Sequence, residues 1–308
     1  MSDLTLADKP TPHPMISKVI PSIAFLLCLM SCQSRVSQLK ESIEHELSSV
    51  PGTFAVAFED LSNGEQLLIN EHDNFHAAST MKTPVMIEVY KQASEKKFSL
   101  DDSIIIKNEF KSIVDGSPYT LESTDDSEFD LYTRIGTKST IYDLMYDMII
   151  VSSNLATNII IDLVDANNVM ATMKELGAND IKVLRGVEDN KAFDIGMNNT
   201  TTAYDLMLLF SKLSKGEVVN KDASSAMIKI LLEQKFDDII PAKLPGDVKV
   251  AHKTGFIKGV HHDSGIIMLP DGRRYILVLL SKDLTDDVTG LNAMANVSKL
   301  IYDYVTPK

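Results

Sequence analysis

Ser79-Thr80-Met81-Lys82 sets a hydroxyl and an amine three residues apart. On a helix, positions three apart stand one above the other, within reach. A serine hydroxyl is a weak nucleophile until a base removes its proton. Lysine can be that base when burial and neighbouring positive charge lower its pKa. A helix N-terminus at the same point would direct free backbone N–H groups at a developing oxyanion. The chemistry these residues permit is acyl transfer through a seryl ester. The spacing alone is cheap, because Ser37 with Lys40 and Ser94 with Lys97 repeat it.

Two further short motifs add to it. Ser152-Ser153-Asn154 falls at the end of one helical stretch and just before the next. Lys253-Thr254-Gly255 occurs once and ends a strand-like run beginning near Asp247. Each has an ordinary structural reading. Ser152 and Asn154 would serve as caps for the helix starting at Leu155. Lys253 would serve as an edge-strand charge and Gly255 as a bulge.

Taken together, in this order, the motifs resemble Ser-x-x-Lys, Ser-Asp-Asn and Lys-Thr-Gly of the penicillin-recognising serine enzymes. There are 73 residues from Ser79 to Ser152 and 101 from Ser152 to Lys253, spacings similar to those of class A β-lactamases. The resemblance covers roughly residues 35–306. It implies that Ser79 attacks the carbonyl, and that Lys82 helps activate it while bonding both seryl oxygens. It implies that Ser152 relays a proton to the leaving nitrogen and Asn154 donates to the substrate's side-chain amide. Lys253 and Thr254 would bind the substrate carboxylate, with Gly255 letting substrate lie along the strand. The backbone N–H groups of Ser79 and Phe256 would form the oxyanion hole. Ser153 stands where the family has aspartate, so altered loop bracing is expected, with the chemistry retained.

Class A enzymes also carry a glutamate that directs water onto the acyl-enzyme. Arg185-Gly186-Val187-Glu188-Asp189-Asn190 and Asn199-Thr200-Thr201-Thr202 resemble the Ω-loop that holds it. The pattern departs from the family. Two residues separate Arg185 from Glu188, where one is usual. Ala192 stands where an asparagine is expected, and Asn199 replaces the aspartate that would pair with the loop arginine. Asn190 is a candidate for the missing water contact. Asn158, four residues after Asn154 on the same helix face, would brace Glu188. The ordinary alternative for Glu188 is a surface charge on a loop.

The elements that must position these residues follow from periodicity. Residues 35–49 place Val36, Leu39, Ile43 and Leu47 at helical spacing. Thr53–Phe58 and Gln66–Asn70 read as strands around Asn63-Gly64, a hairpin signal. Helices are expected over Thr83–Lys96, Ile141–Val151 (capped by Ser139 or Thr140, with Asp143 placed for a capping box), Leu155–Val164, Ala166–Leu176, Thr202–Leu213 and Ala223–Gln234. Residues 183–199 lack periodicity and read as a long loop, and 113–137 as a surface loop. Strands return at 248–252, Ser264–Leu269 and Tyr275–Leu280, and 289–305 close the chain as a helix. The order predicts an α+β fold: an antiparallel five-stranded sheet flanked by N- and C-terminal helices, with an inserted all-helical lobe. The α/β lobe would comprise about 35–78 and 245–306, and the helical lobe about 79–244, within one catalytic domain over 32–308.

Residues 15–32 carry Lys18, an apolar run from Val19 to Met30, and Leu29-Met30-Ser31-Cys32 at its end. The run is too short to span a bilayer comfortably. It has the length of a signal-peptide core and ends in a sequence resembling the lipoprotein processing box, which implies lipidation at Cys32. The alternatives are an ordinary secretory signal or an anchor helix. Residues 1–14 do not fit the signal, and Met15 would make a better start. Residues 1–31 therefore stay out of the fold.

The 308 residues hold 43 Asp and Glu against 30 Lys and Arg, a net charge of −13. The charges in 1–31 cancel, so the mature chain keeps that value. An acidic chain lacks the basic footprint of a nucleic-acid binder. Cys28 and Cys32 lie too close to the N-terminus to staple the body, and His13, His45, His72, His76, His252, His261 and His262 include no metal-binding helix motif. No metal or cofactor is expected. The expected protein is a β-lactamase-type serine hydrolase, anchored by lipid to the cell envelope on its periplasmic or exterior side, monomeric, with weak to moderate turnover that favours simple penicillins or cephalosporins. The alternatives are a D,D-peptidase or esterase relative with slow β-lactam turnover, and a non-enzymatic penicillin-binding lipoprotein.

Overall fold

The computed structural model describes residues 35–307. The leader, residues 1–14 and Cys32 lie outside these residues. Helix α1 covers 35–48. Strands β1 (Thr53–Asp60) and β2 (Glu65–Ile69) follow as a hairpin. The helical lobe contributes α2 (Lys82–Ser94), α3 (Ile141–Ile150), α4 (Asn154–Val164), α5 (Ala166–Leu176), α6 (Ala203–Lys215) and α7 (Lys221–Leu231). The chain then returns to the sheet as β3 (Lys249–Ile257), β4 (Val260–Met268) and β5 (Arg274–Lys282), and ends in α8 (Asp287–Val305). The five strands run antiparallel in the order β2-β1-β5-β4-β3. This is the α+β architecture expected from the sequence.

Both faces of the central sheet are covered, so β1 and β5 read as nearly continuous apolar runs. In β1, Ala55 and Ala57 face the helical lobe, while Phe54, Val56 and Phe58 face the terminal helices. The small alanines let α6 lie close on one face. The large side chains on the other face meet Ile43 of α1 and Val297 and Ile301 of α8. Ile276, Val278 and Leu280 of β5 alternate in the same way with Tyr275, Leu277 and Leu279. Each fully buried side chain of this size contributes roughly 1.5–3 kcal/mol.

Helix ends follow their caps. Thr140 accepts from Asp143 N–H at 3.0 Å to open α3, and Thr202 accepts from Asp205 N–H at 3.2 Å to open α6. Gly177 ends α5 at φ +87°, a conformation that only glycine adopts freely. α2 stops at Ser94, and Lys96 already lies at φ +62°. α7 runs from Lys221, because Asn220 caps it earlier than the pattern suggested. Two loops carry more structure than their composition indicated. Residues 183–199 contain a short helical turn, Asn190–Asp194, capped by Asp189. Residues 113–137 contain Phe129–Thr133 as a helical turn.

Candidate active site

Strain and close packing build the turn that carries Ser79. Phe75–His76 pairs with Thr200–Thr201, and Ala77 N–H donates to Asn199 O at 2.8 Å. Ala78 then takes φ +43°. Residues held in such left-handed conformations cost on the order of 1–3 kcal/mol and cluster at functional sites. A 3-10 turn, Ala78–Met81, runs directly into α2 at Lys82. Ser79 thereby stands at the N-terminal end of helical backbone, with Lys82 one turn further on.

Strand β3 passes this turn at close range. A Cβ on Gly255 would lie 3.1 Å from Ser79 N and 3.2 Å from Ala78 Cβ and Thr80 N. Lys253-Thr254-Gly255 lies inside β3, not at its end, because Phe256 and Ile257 continue to pair with His261 and Val260. β3 is an edge strand, so N–H groups on its outer side lack ladder partners. Phe256 is 61% exposed there.

Two lysines converge on one hydroxyl. Lys82 Nζ donates to Ser152 O at 2.7 Å, Ser152 Oγ at 3.2 Å and Asn154 Oδ1 at 3.0 Å. Lys253 Nζ donates to Ser152 Oγ at 3.0 Å and Thr254 O at 2.9 Å. With its oxygen accepting from both, Ser152 has its own O–H left to donate elsewhere. Ser152 reaches this position at φ +60°. Both lysines are completely buried. Burial lowers Lys82 to about 7, against the opposing pull of Asp126 and Glu188. Burial also pushes Lys253 well below its ordinary value, helped by the charge on Lys82. The expected bond from Lys82 to both seryl oxygens is only half present. Its hydrogen bonds go to Ser152 and Asn154, and among the described residues none joins it to Ser79.

Asn154 links the lysine to the loop carboxylate. Its Oδ1 accepts from Lys82, and its Nδ2 donates to Glu188 Oε1 at 2.8 Å. Glu188 also sits at positive φ, +61°. Burial raises its pKa, and the hydrogen bond from Asn154 partly offsets that. Asn158 does not reach the carboxylate. Its Oδ1 accepts from Val187 N–H at 2.7 Å and its Nδ2 donates to Val187 O at 3.0 Å, so it holds the peptide preceding Glu188. Asn190 is exposed at the start of its helical turn and lines the cavity beside Glu188.

The Ω-loop is held without the arginine–aspartate pair. Asn199 Oδ1 accepts from Leu184 and Arg185 N–H, and its Nδ2 donates to Arg185 O at 2.9 Å. The Arg185 guanidinium donates to Met197 O, Gly186 O and Asn198 Oδ1. Asp189 is buried and accepts from Ser112 Oγ and Ile113 N–H, tying the loop to the hairpin in which Phe110–Lys111 pairs with Pro118–Tyr119.

Asp126 went unnoticed in the sequence. Its Oδ2 accepts from Leu155 N–H at 2.8 Å, Tyr132 O–H at 3.0 Å and Ser153 Oγ at 3.3 Å. Ser153, and neither Ser152 nor Asn154, caps α4, accepting from Ala156 N–H at 3.2 Å. The carboxylate missing from the middle motif is thus supplied by the 113–137 loop. That loop also lends Asp125 and Ser127 to a cavity of about 380 Å³ lined by Ser79, Ser152, Asn154 and Thr254. A second cavity of about 370 Å³ opens from Ser79 toward Glu188, Phe193 and Lys258.

Residues 38–305 match the profile described as "Beta-lactamase enzyme family". The molecule is therefore a class A β-lactamase-like member of the penicillin-recognising serine enzymes. A β-lactamase of Bacteroides uniformis is 24% identical over 297 residues, covering 90% of this chain and 97% of its own. Beta-lactamase VEB-1 of Pseudomonas aeruginosa is 24% identical over 304 residues, covering 94% and 97%. A mutant of PBP-A, solved as an acyl-enzyme complex with penicillin G, is 26% identical with a TM-score of 0.75, covering 88% of this chain and 97% of that one. The chain belongs to the β-lactamase enzyme family.

Proposed function

We propose that this chain opens β-lactam amide bonds through an acyl-enzyme at Ser79 and releases the acyl group with water directed by Glu188. One observation carries the reading. A continuous hydrogen-bonded chain runs from Lys253 through Ser152, Lys82 and Asn154 to Glu188, beside Ser79 in the cleft. Neutral Lys82 takes the proton of Ser79 as its oxygen attacks the lactam carbonyl. The backbone N–H groups of Ser79 and Phe256 receive the oxyanion. The C–N bond breaks, and Ser152 passes its proton to the leaving nitrogen, regaining one from Lys82. Lys253 and Thr254 hold the substrate carboxylate. Glu188 then removes a proton from water as it attacks the ester, and that proton passes to Ser79 Oγ as the acyl C–O bond breaks. The likeness to PBP-A, a mutant of which was solved as an acyl-enzyme complex with penicillin G, suits the competing reading in which this chain stays acylated, and Glu188 argues against it.

Mass spectrometry of the protein with a penicillin over time tests the proposal. An adduct on Ser79 that forms and decays supports it. An adduct that persists for hours favours the peptidase-like reading, and no adduct refutes both. The acylation rate should also fall as pH drops through about 7, because Lys82 then binds a proton and ceases to be a base. A rate that rises toward acid would contradict that role.

We further propose that the mature chain begins at a lipidated Cys32, faces the periplasm or exterior and is monomeric. Stable anchoring needs more than one acyl chain, as a lipoprotein carries. The protein should partition into detergent, and Cys32→Ala should release or misprocess it. An unmodified mature N-terminus at another residue would refute this.

A further inference from the structure

Two histidines lie behind the nucleophile turn, outside every motif. His76 Nδ1 accepts the Ala78 N–H at 3.0 Å. Ala78 is the left-handed residue just before Ser79. A donor facing Nδ1 requires a lone pair there, so the ring is neutral with its proton on Nε2. The backbone carbonyl of His76 is held in turn by His262, whose Nε2 lies 2.8 Å from it. Carbonyls face both ring nitrogens, His76 O at Nε2 and His261 O at Nδ1, and a neutral imidazole donates to only one; the Nε2–H tautomer is assigned because it also leaves Nδ1 able to accept Ser281 N–H. His262 Nδ1 then accepts Ser281 N–H at 3.3 Å, while lying 2.8 Å from His261 O. Complete burial pushes His262 down to about 4, which keeps its ring neutral. Phe75 packs edge-on against His262, and Phe193 packs against His76.

We infer that His76 is the positioning residue for Ser79: its neutral ring, anchored through its own carbonyl by His262, accepts the Ala78 N–H and holds the left-handed turn that presents Ser79 to the cleft. The inference rests on Ser79 being the nucleophile proposed above. It gives the turn an acid limit. A proton on Nδ1 converts the acceptor into a donor facing another donor, and the Ala78 bond breaks. Burial and the Arg185 charge both lower the pKa of His76, so the break falls below the ordinary histidine range. The other titratable groups facing this ring are His262 behind it and Lys258, Glu188 and Asp189 around the shared cavity.

The test is the rate of Ser79 acylation by a penicillin, followed by quenched-flow mass spectrometry between about pH 5 and 8. His76→Leu removes the acceptor. His76→Asn supplies an amide oxygen that cannot be protonated at these pH values. His76→Leu should lose about tenfold in the acylation rate constant, with the substrate binding constant unchanged. His76→Asn should recover most of that loss. The ratio of His76→Asn to parent should stay level near neutrality and rise toward acid, because only the parent loses its acceptor. Lys82 and Glu188 titrate in both proteins and cancel in the ratio. Equal acylation by parent and His76→Leu, or a ratio flat across the range, overturns the inference. Absence of an adduct on the parent at every pH overturns the acyl-enzyme reading, and the inference with it.

Discussion

Ser79→Ala should eliminate covalent labelling by penicillin and reduce β-lactam turnover below detection. A nucleophile that works as one unit with its base typically accounts for a rate factor on the order of 10⁶. Lys82 and Ser152 would remain in place, but neither offers an oxygen at the helix start beside Gly255. The fold should not respond. Ser79 Oγ makes no hydrogen bond among the described residues, so its loss leaves no buried partner unsatisfied. The unfolding free energy should match the parent's within the scatter expected of a neutral substitution, about 0.5 kcal/mol. Hydrolysis of a chromogenic cephalosporin at the parental rate would show that the nucleophile is another residue.

Glu188→Ala should separate the two halves of the reaction. Acylation at Ser79 should continue, because Lys82 and Ser152 are untouched. Deacylation should slow by about 10² to 10⁴, the usual cost of removing a general base. The adduct should then persist in the mass spectrum where the parent shows it briefly. Burial already raises the pKa of Glu188, which suits a base that must hold a proton during water attack. Deacylation should therefore weaken as pH falls through that raised value and the carboxylate becomes neutral. If parent and variant lose the adduct equally fast, Glu188 is not the base.

The two halves of the site differed in how far the sequence revealed them. Ser79, Ser152 and Lys253 were legible as neighbours because three short motifs arrived in a known order. Apolar runs were enough to read β1 and β5, which are covered on both faces. Asp126 was invisible for a physical reason. A single carboxylate in a segment rich in Ser, Thr, Asp and Gly has no periodicity to mark it. Its contacts with Ser153 and Leu155 exist only once the loop folds back over α4. The pairing of His262 with His76 joins residues 186 positions apart and appears in no local pattern. Asn158 was legible only in part: its place on the helix face was readable, but whether it meets the carboxylate or the adjoining backbone of Val187 depends on a loop conformation that periodicity does not encode.

The brace through Asp126 has a mechanical consequence. Asp125 and Ser127, which flank it, form part of the cleft wall. Asp126 itself grips the first turn of α4, and the first residue of that helix, Asn154, grips Glu188. Wall, helix start and loop carboxylate therefore form one linkage, with no slack residue between them. A bulky substituent pressing on the wall should transmit its displacement along that linkage to Glu188, the residue proposed to aim water. On the mechanism proposed above, substrate size at one end of the cleft would thus be coupled to the lifetime of the ester at the other.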